Sequence, residues 1–151
     1  MIRWIAILAS VLGAAGVGLG AYAAHGLQED LALRGFSPEM VAKKMSTCDI
    51  AVRYHLVHAV SLLALAAAPP TFAPKTRGLA SLFFVAGIGL FCGVLYAQSI
   101  GGLVGLNLVV PLGGLSFMLG WLTIAVAALV GRQPRYEMSD ERRNSGNPTQ
   151  R

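Results

Sequence analysis

The chain reads as an all-α membrane protein, a four-span transmembrane helical bundle with both termini cytoplasmic, and three observations predict it. Of its 151 residues 55% are hydrophobic and only 13% charged, and the mean hydropathy is +0.62, whereas an average soluble domain is about 25% charged. Asp, Glu, Lys and Arg are absent between Trp4 and Gln28, between Tyr54 and Pro74, and from Gly78 to Gly131. Each of these runs reaches the roughly 20 residues that cross a hydrocarbon core. The longest is interrupted at SIGGLVGLNLVVP, Ser99 to Pro111, where glycines, an Asn and a Pro break the apolar pattern and divide it in two. Spans are therefore expected near residues 3–25, 51–69, 78–98 and 111–130 of a transmembrane domain covering 1–131, with a polar, disordered cytoplasmic tail over 132–151.

The first span, WIAILASVLGAAGVGLGAYAAHG, places small residues at Ala9, Gly13, Gly16, Gly20 and Ala24. Such a stripe admits the backbone of another helix, the main route to close packing in lipid. Its GAAGVGLG resembles a nucleotide-binding glycine loop only superficially, because no strand precedes it and no helix start follows. Arg3 ahead of the apolar run and the triplet Ala21-Tyr22-Ala23 also fit a signal peptide. The run is longer than a usual signal core, which favours a retained span.

Ser37-Pro38-Glu39 is a helix start: a hydroxyl to cap free amides, a proline for the first turn, a carboxylate at the positive end of the dipole. No breaker intervenes before Pro69, so one helix of about 46 Å at 1.5 Å per residue is expected over 38–68. Its 38–50 portion would lie outside the second span or along the surface. In the third span Gly89, Gly93 and Ala97 repeat every four residues, a second close-packing stripe for the first or fourth helix. The fourth begins PLGGLSFMLGW, with Pro111 suited to a first turn, Gly113 and Gly120 a heptad apart, and Trp121 near mid-span, where buried packing explains it.

Hairpin connectivity puts Arg3, Lys75, Arg77, Arg132, Arg135, Arg142, Arg143 and Arg151 on one side of the membrane. Arg34, Lys43, Lys44 and Arg53 lie on the other, offset by Glu29, Asp30, Glu39 and Asp49. The excess of Lys and Arg marks the first side as cytoplasmic. The net charge of +5 is thus an orientation signal that also suits anionic lipid. Nothing in it suggests nucleic acid as a partner, since the basic residues are few and lack interleaved aromatics.

The same connectivity gathers polar side chains toward the outer face: His25 closing the first span, Tyr54, His55 and His58 opening the second, Tyr96 ending the third, with Asn107 in the loop beyond. On a helix His55 and His58 are about 60° apart and Tyr54 and His58 about 40°, so they can share a face. These residues are candidates for holding a divalent metal through His25, His55 and His58, a haem edge, a quinone or a lipid headgroup. The plainer alternative is hydrogen bonding to neighbouring helices. A His-x-x-His pair without a nearby carboxylate is a weak metal signal. Arg53 is placed to pair with Asp49. Cys48 and Cys92 read as small buried apolar residues rather than a disulfide. No nucleophile has a recognisable base and no carboxylate lies within a span, so no enzyme is expected and a proton-coupled carrier is disfavoured.

GLGAYAAHGL (Gly18–Leu27), AVRYHLVHAV (Ala51–Val60) and GLFCGVLYAQSIGGLVGLNLVVPLGGLSFMLGW (Gly89–Trp121) together resemble one family over nearly all of residues 1–130. It is the domain of unknown function 423 family, the bacterial YgdD-type inner-membrane proteins, which includes eukaryotic transmembrane protein 256. In this resemblance His25 matches an Ala-His-Gly block, Tyr54 and His58 a Tyr-x-x-x-His-Ala block and Tyr96 a Gly-x-Leu-Tyr block. Pro111, Gly113, Gly114, Gly120 and Trp121 match the last block. The family usually has Gln in place of His55 and commonly Thr in place of Val110. The resemblance implies a small multi-pass protein of the bacterial inner membrane and no particular activity or cofactor. A structural or accessory subunit, partnered by lipid and by other membrane subunits or itself, is expected first, a ligand-binding protein second and a small transporter or channel third.

Overall fold

A computed structural model describes residues 2–68, 73–103, 105–106 and 108–130. Asn107 and the expected tail over 132–151 lie outside them. The described residues form helices α1 (Ile2–His25), α2 (Leu27–Leu33), α3 (Pro38–Ala67) and α4 (Pro74–Gly87), a π-helical turn over Ile88–Gly93, then α5 (Val94–Ser99) and α6 (Val109–Val130). Four stretches are long and apolar enough to cross a membrane: Arg3–His25, Pro38–Ala67, Pro74–Ser99 and Val109–Val130.

Local chemistry sets several of these limits. Ser37 caps α3 by accepting a hydrogen bond from the Met40 amide at 3.3 Å, with Pro38 in the first turn. Between α2 and α3 the chain reverses at Gly35, whose φ of +79° favours a residue without a Cβ. Helix α2 was not expected from the sequence. It folds back over the bundle, burying Leu27 and Leu31 completely against Val41 and Cys48.

Helix α1 packs chiefly on α3, and α4 chiefly on α6, while α5 turns to α3. Ala51, Leu62, Phe84 and Cys92 fill the core between them. Glycines decide how closely the helices approach. A Cβ on Gly16 would lie 2.8 Å from Leu56 Cδ2, and one on Gly20 3.2 Å from Val52 Cγ1, so these two form the α1–α3 contact. Gly13, expected in the same stripe, faces open space.

The third-span stripe is also corrected. Gly89 has no neighbour within reach of a Cβ, and Gly93 meets only the Ile88 carbonyl of its own helix. Gly87 is the contact instead, lying under the Phe117 ring. Gly89 follows Gly87 by two residues, about 200° around the axis at 3.6 residues per turn, so it faces away from the side that Gly87 turns to Phe117. On α6 both expected glycines are used: Gly113 lies on the Leu90–Phe91 backbone and Gly120 against the Phe84 ring. The Ser116 hydroxyl donates to the Phe83 carbonyl at 2.8 Å, tying α6 to α4 just before the π turn.

Two cations close the opposite end of this span. Lys44 Nζ donates to the Gln98 carbonyl at 2.7 Å, and Arg34 Nη1 to the Ile100 carbonyl at 2.7 Å. Gln98 lies in the last turn of α5 and Ile100 caps its end, where the negative end of the helix dipole favours a cation. Arg53 pairs with Asp49, as the spacing predicts, in an exposed contact that contributes little.

Candidate functional site

The two histidines of α3 occupy separate environments. His55 and His58 are each only 4% exposed, but they point to different neighbours. His58 lies nine residues before the end of α3, about 14 Å along the axis, and so near the middle of a hydrocarbon core about 30 Å thick. Trp121 lies at the matching depth, nine residues before the end of α6, and is 48% exposed rather than buried as expected, with its indole edge turned to His58.

Both ring nitrogens of His58 are engaged. Nδ1 is 2.7 Å from the Tyr54 carbonyl, which can only accept, so Nδ1 carries the proton. Nε2 is then the acceptor, and Trp121 Nε1 donates to it at 3.3 Å. The ring stacks on Phe117 with centroids 3.6 Å apart and planes 14° apart, and Phe84 meets it edge-on at 5.3 Å. Tyr54 extends the cluster through Phe91 at 4.8 Å. The imidazole is fixed as one neutral tautomer inside an aromatic cage, with no lone pair left for a metal.

One turn earlier, His55 Nδ1 lies 3.3 Å from the Tyr96 hydroxyl near the end of α5. Gly16 of α1 flanks the ring on the other side, where an added Cβ would lie 3.5 Å from it, an ordinary contact. No hydrogen bond closes on the buried His55 Nε2.

The single outer-face cluster expected from the sequence is therefore divided. Tyr96 meets His55, whereas His58, one turn deeper in α3, turns to Phe117 and Trp121. His25 joins neither group: it is exposed at the end of α1. The ring of His55 is level with Gly16, and nine residues of helix, about 14 Å, separate Gly16 from His25. Among the described residues no group of three His, Cys, Asp or Glu side chains converges on a metal-binding position, so His25, His55 and His58 do not form a common metal site. Cys48 and Cys92 are buried free thiols. Sequence reasoning missed Phe84, Phe91, Phe117 and Trp121 as the surroundings of His58. The one available signal was Trp121 itself, since an indole N–H in mid-membrane needs an acceptor.

The family described as "Protein of unknown function (DUF423)" matches residues 19–114, which include both histidines of α3, Tyr96 and Gly113. The chain is 35% identical over 128 residues to the UPF0382 membrane protein YwdK of Bacillus subtilis, covering 82% of this chain and 94% of that one. It is 32% identical over 127 residues to the UPF0382 inner membrane protein YgdD of Escherichia coli K12, covering 84% and 90%. A UPF0382 membrane protein of Staphylococcus epidermidis is 31% identical over 123 residues, covering 82% and 93%. No solved structure matches the chain. A match extending from the end of α1 into α6, with relatives similar over most of their own lengths, makes the chain a member of the DUF423 family and a multi-pass membrane protein.

Proposed function

We propose that the protein is a non-enzymatic structural or accessory component of the bacterial inner membrane, with both termini cytoplasmic, which assembles with other membrane subunits or with itself. One observation carries this reading: the mid-membrane histidine, the group best suited to chemistry, has both nitrogens committed to Tyr54 and Trp121. The outward faces of the bundle support assembly, since Gly13 and Gly18 of α1 stand clear of any neighbour and Val11 and Val17 beside them are exposed. The orientation rests on the excess of Lys and Arg at the α3–α4 side. Cross-linking in intact membranes followed by native electrophoresis in mild detergent should give species larger than the monomer. A lone monomer with and without cross-linker would overturn the reading. A carboxyl-terminal green fluorescent protein fusion should fluoresce and an alkaline phosphatase fusion should be inactive, the reverse pattern overturning the orientation.

A second reading is favoured by His55, whose buried Nε2 closes no hydrogen bond. A small polar guest, such as a quinone carbonyl or a headgroup hydroxyl, would complete it beside Tyr96. Native mass spectrometry should then show a bound species in the wild type that His55→Phe loses. Identical spectra for the two proteins would remove this site.

A further inference from the structure

We infer that the groove between α4 and α6 at the Lys75 end of the bundle is a binding site for one anionic phospholipid, with an acyl chain along the groove and the phosphate on Lys75. The groove has a volume of about 630 Å³, and its walls are mainly Leu79, Leu119, Leu122 and Val126. Thr123 adds little polarity, because its hydroxyl donates to the Leu119 carbonyl at 2.7 Å within its own helix. Along α6 the lining runs from Leu119 to Val130, eleven residues or about 16 Å. That is about half of a 30 Å hydrocarbon core, the depth reached by the chains of one leaflet.

Charge selects the headgroup. Lys75 and Thr76 line the groove at the start of α4, the level at which a headgroup would sit. Lys75 is exposed and pairs with no described residue. Every acidic side chain among the described residues, Glu29, Asp30, Glu39 and Asp49, belongs to α2 or the first turns of α3, at the other end of the bundle. The charged residues described at the groove end are Arg3, Lys75 and Arg77, all basic. An ammonium at the headgroup level with no competing carboxylate among the described residues attracts a phosphate of net negative charge and gains little from a zwitterion. This inference is independent of the proposed function, since a protein of either reading could hold such a lipid.

The test is native mass spectrometry of the full chain, purified in mild detergent and loaded with either phosphatidylglycerol or phosphatidylcholine of identical acyl chains. Retention of phosphatidylglycerol should exceed that of phosphatidylcholine by about fivefold, the order supplied by one basic residue at an anionic surface. Lys75→Gln, an exposed substitution that leaves packing intact, should remove most of the preference, and Lys75→Arg should keep it. Ala127→Phe, which fills the groove, should reduce retention of both lipids. Equal retention of the two lipids by the wild type, or an undiminished preference in Lys75→Gln, would overturn the inference. Full retention in an Ala127→Phe protein that melts like the wild type would overturn the groove as the site.

Discussion

Replacing Gly113 with alanine is expected to destabilise the bundle by about 3 kcal/mol, the upper end of the usual cost of overpacking a core. The added methyl would lie 2.8 Å from the Leu90 carbonyl carbon and 2.8 Å from the Phe91 Cα. Both are backbone atoms, so no rotamer change relieves the clash and α6 must move away from the third span. Gly18→Ala is the matched control. Its Cβ would meet nothing within 4 Å, and an alanine in a helix interior is favoured over glycine by up to about 1 kcal/mol. Unfolding by a denaturing detergent should therefore show the two substitutions moving stability in opposite directions. Equal midpoints for Gly113→Ala and the wild type would mean that α6 does not approach the third span this closely.

His58→Ala is expected to cost about 2–3 kcal/mol, mostly through lost packing. The imidazole fills the space between Phe117, Phe84 and Trp121, and its removal leaves a cavity that the stacked rings cannot collapse into without moving α6. Its hydrogen bond to Trp121 is the smaller part, since a bond between membrane helices averages about 0.6 kcal/mol. His58→Phe keeps a ring in the stack and should recover most of the stability. Trp121 fluorescence provides a second readout, because the indole N–H loses its acceptor in both variants. If His58→Phe were as destabilising as His58→Ala, the polar bond rather than the stacking would hold this contact.

What could be read in the sequence was local. Ser37, Pro38 and Glu39 fix the start of α3 through cap chemistry confined to four residues, and the charge-free runs reveal four spans because lipid excludes charge. Pro111 falls in the first turn of α6, where a missing amide proton costs nothing. The depth at which side chains of different helices meet was not legible. It depends on the axial offset and rotation of each helix, which place His55 with Tyr96 and His58 with Phe117 and Trp121 where the sequence offered one shared cluster. The Trp121–His58 bond joins residues 63 positions apart and has no motif. Helix α2 escaped notice because seven residues with two leucines and two acids carry too little periodicity to stand out from a loop.

The six-residue π turn has a consequence for the neighbours of the third span. Before it, the helix presents its contact face to α6; beyond it, α5 presents its own to α3. One membrane crossing thus serves two partners at different heights, with the irregular turn between them. Shortening Ile88–Gly93 by a single residue would turn the outer segment by about 100°, carrying Tyr96 away from His55 and the terminal carbonyls away from Lys44 and Arg34. The irregular turn acts as a rotary coupling, and the length of that turn, more than any one side chain in it, determines which helix each half of the crossing can hold.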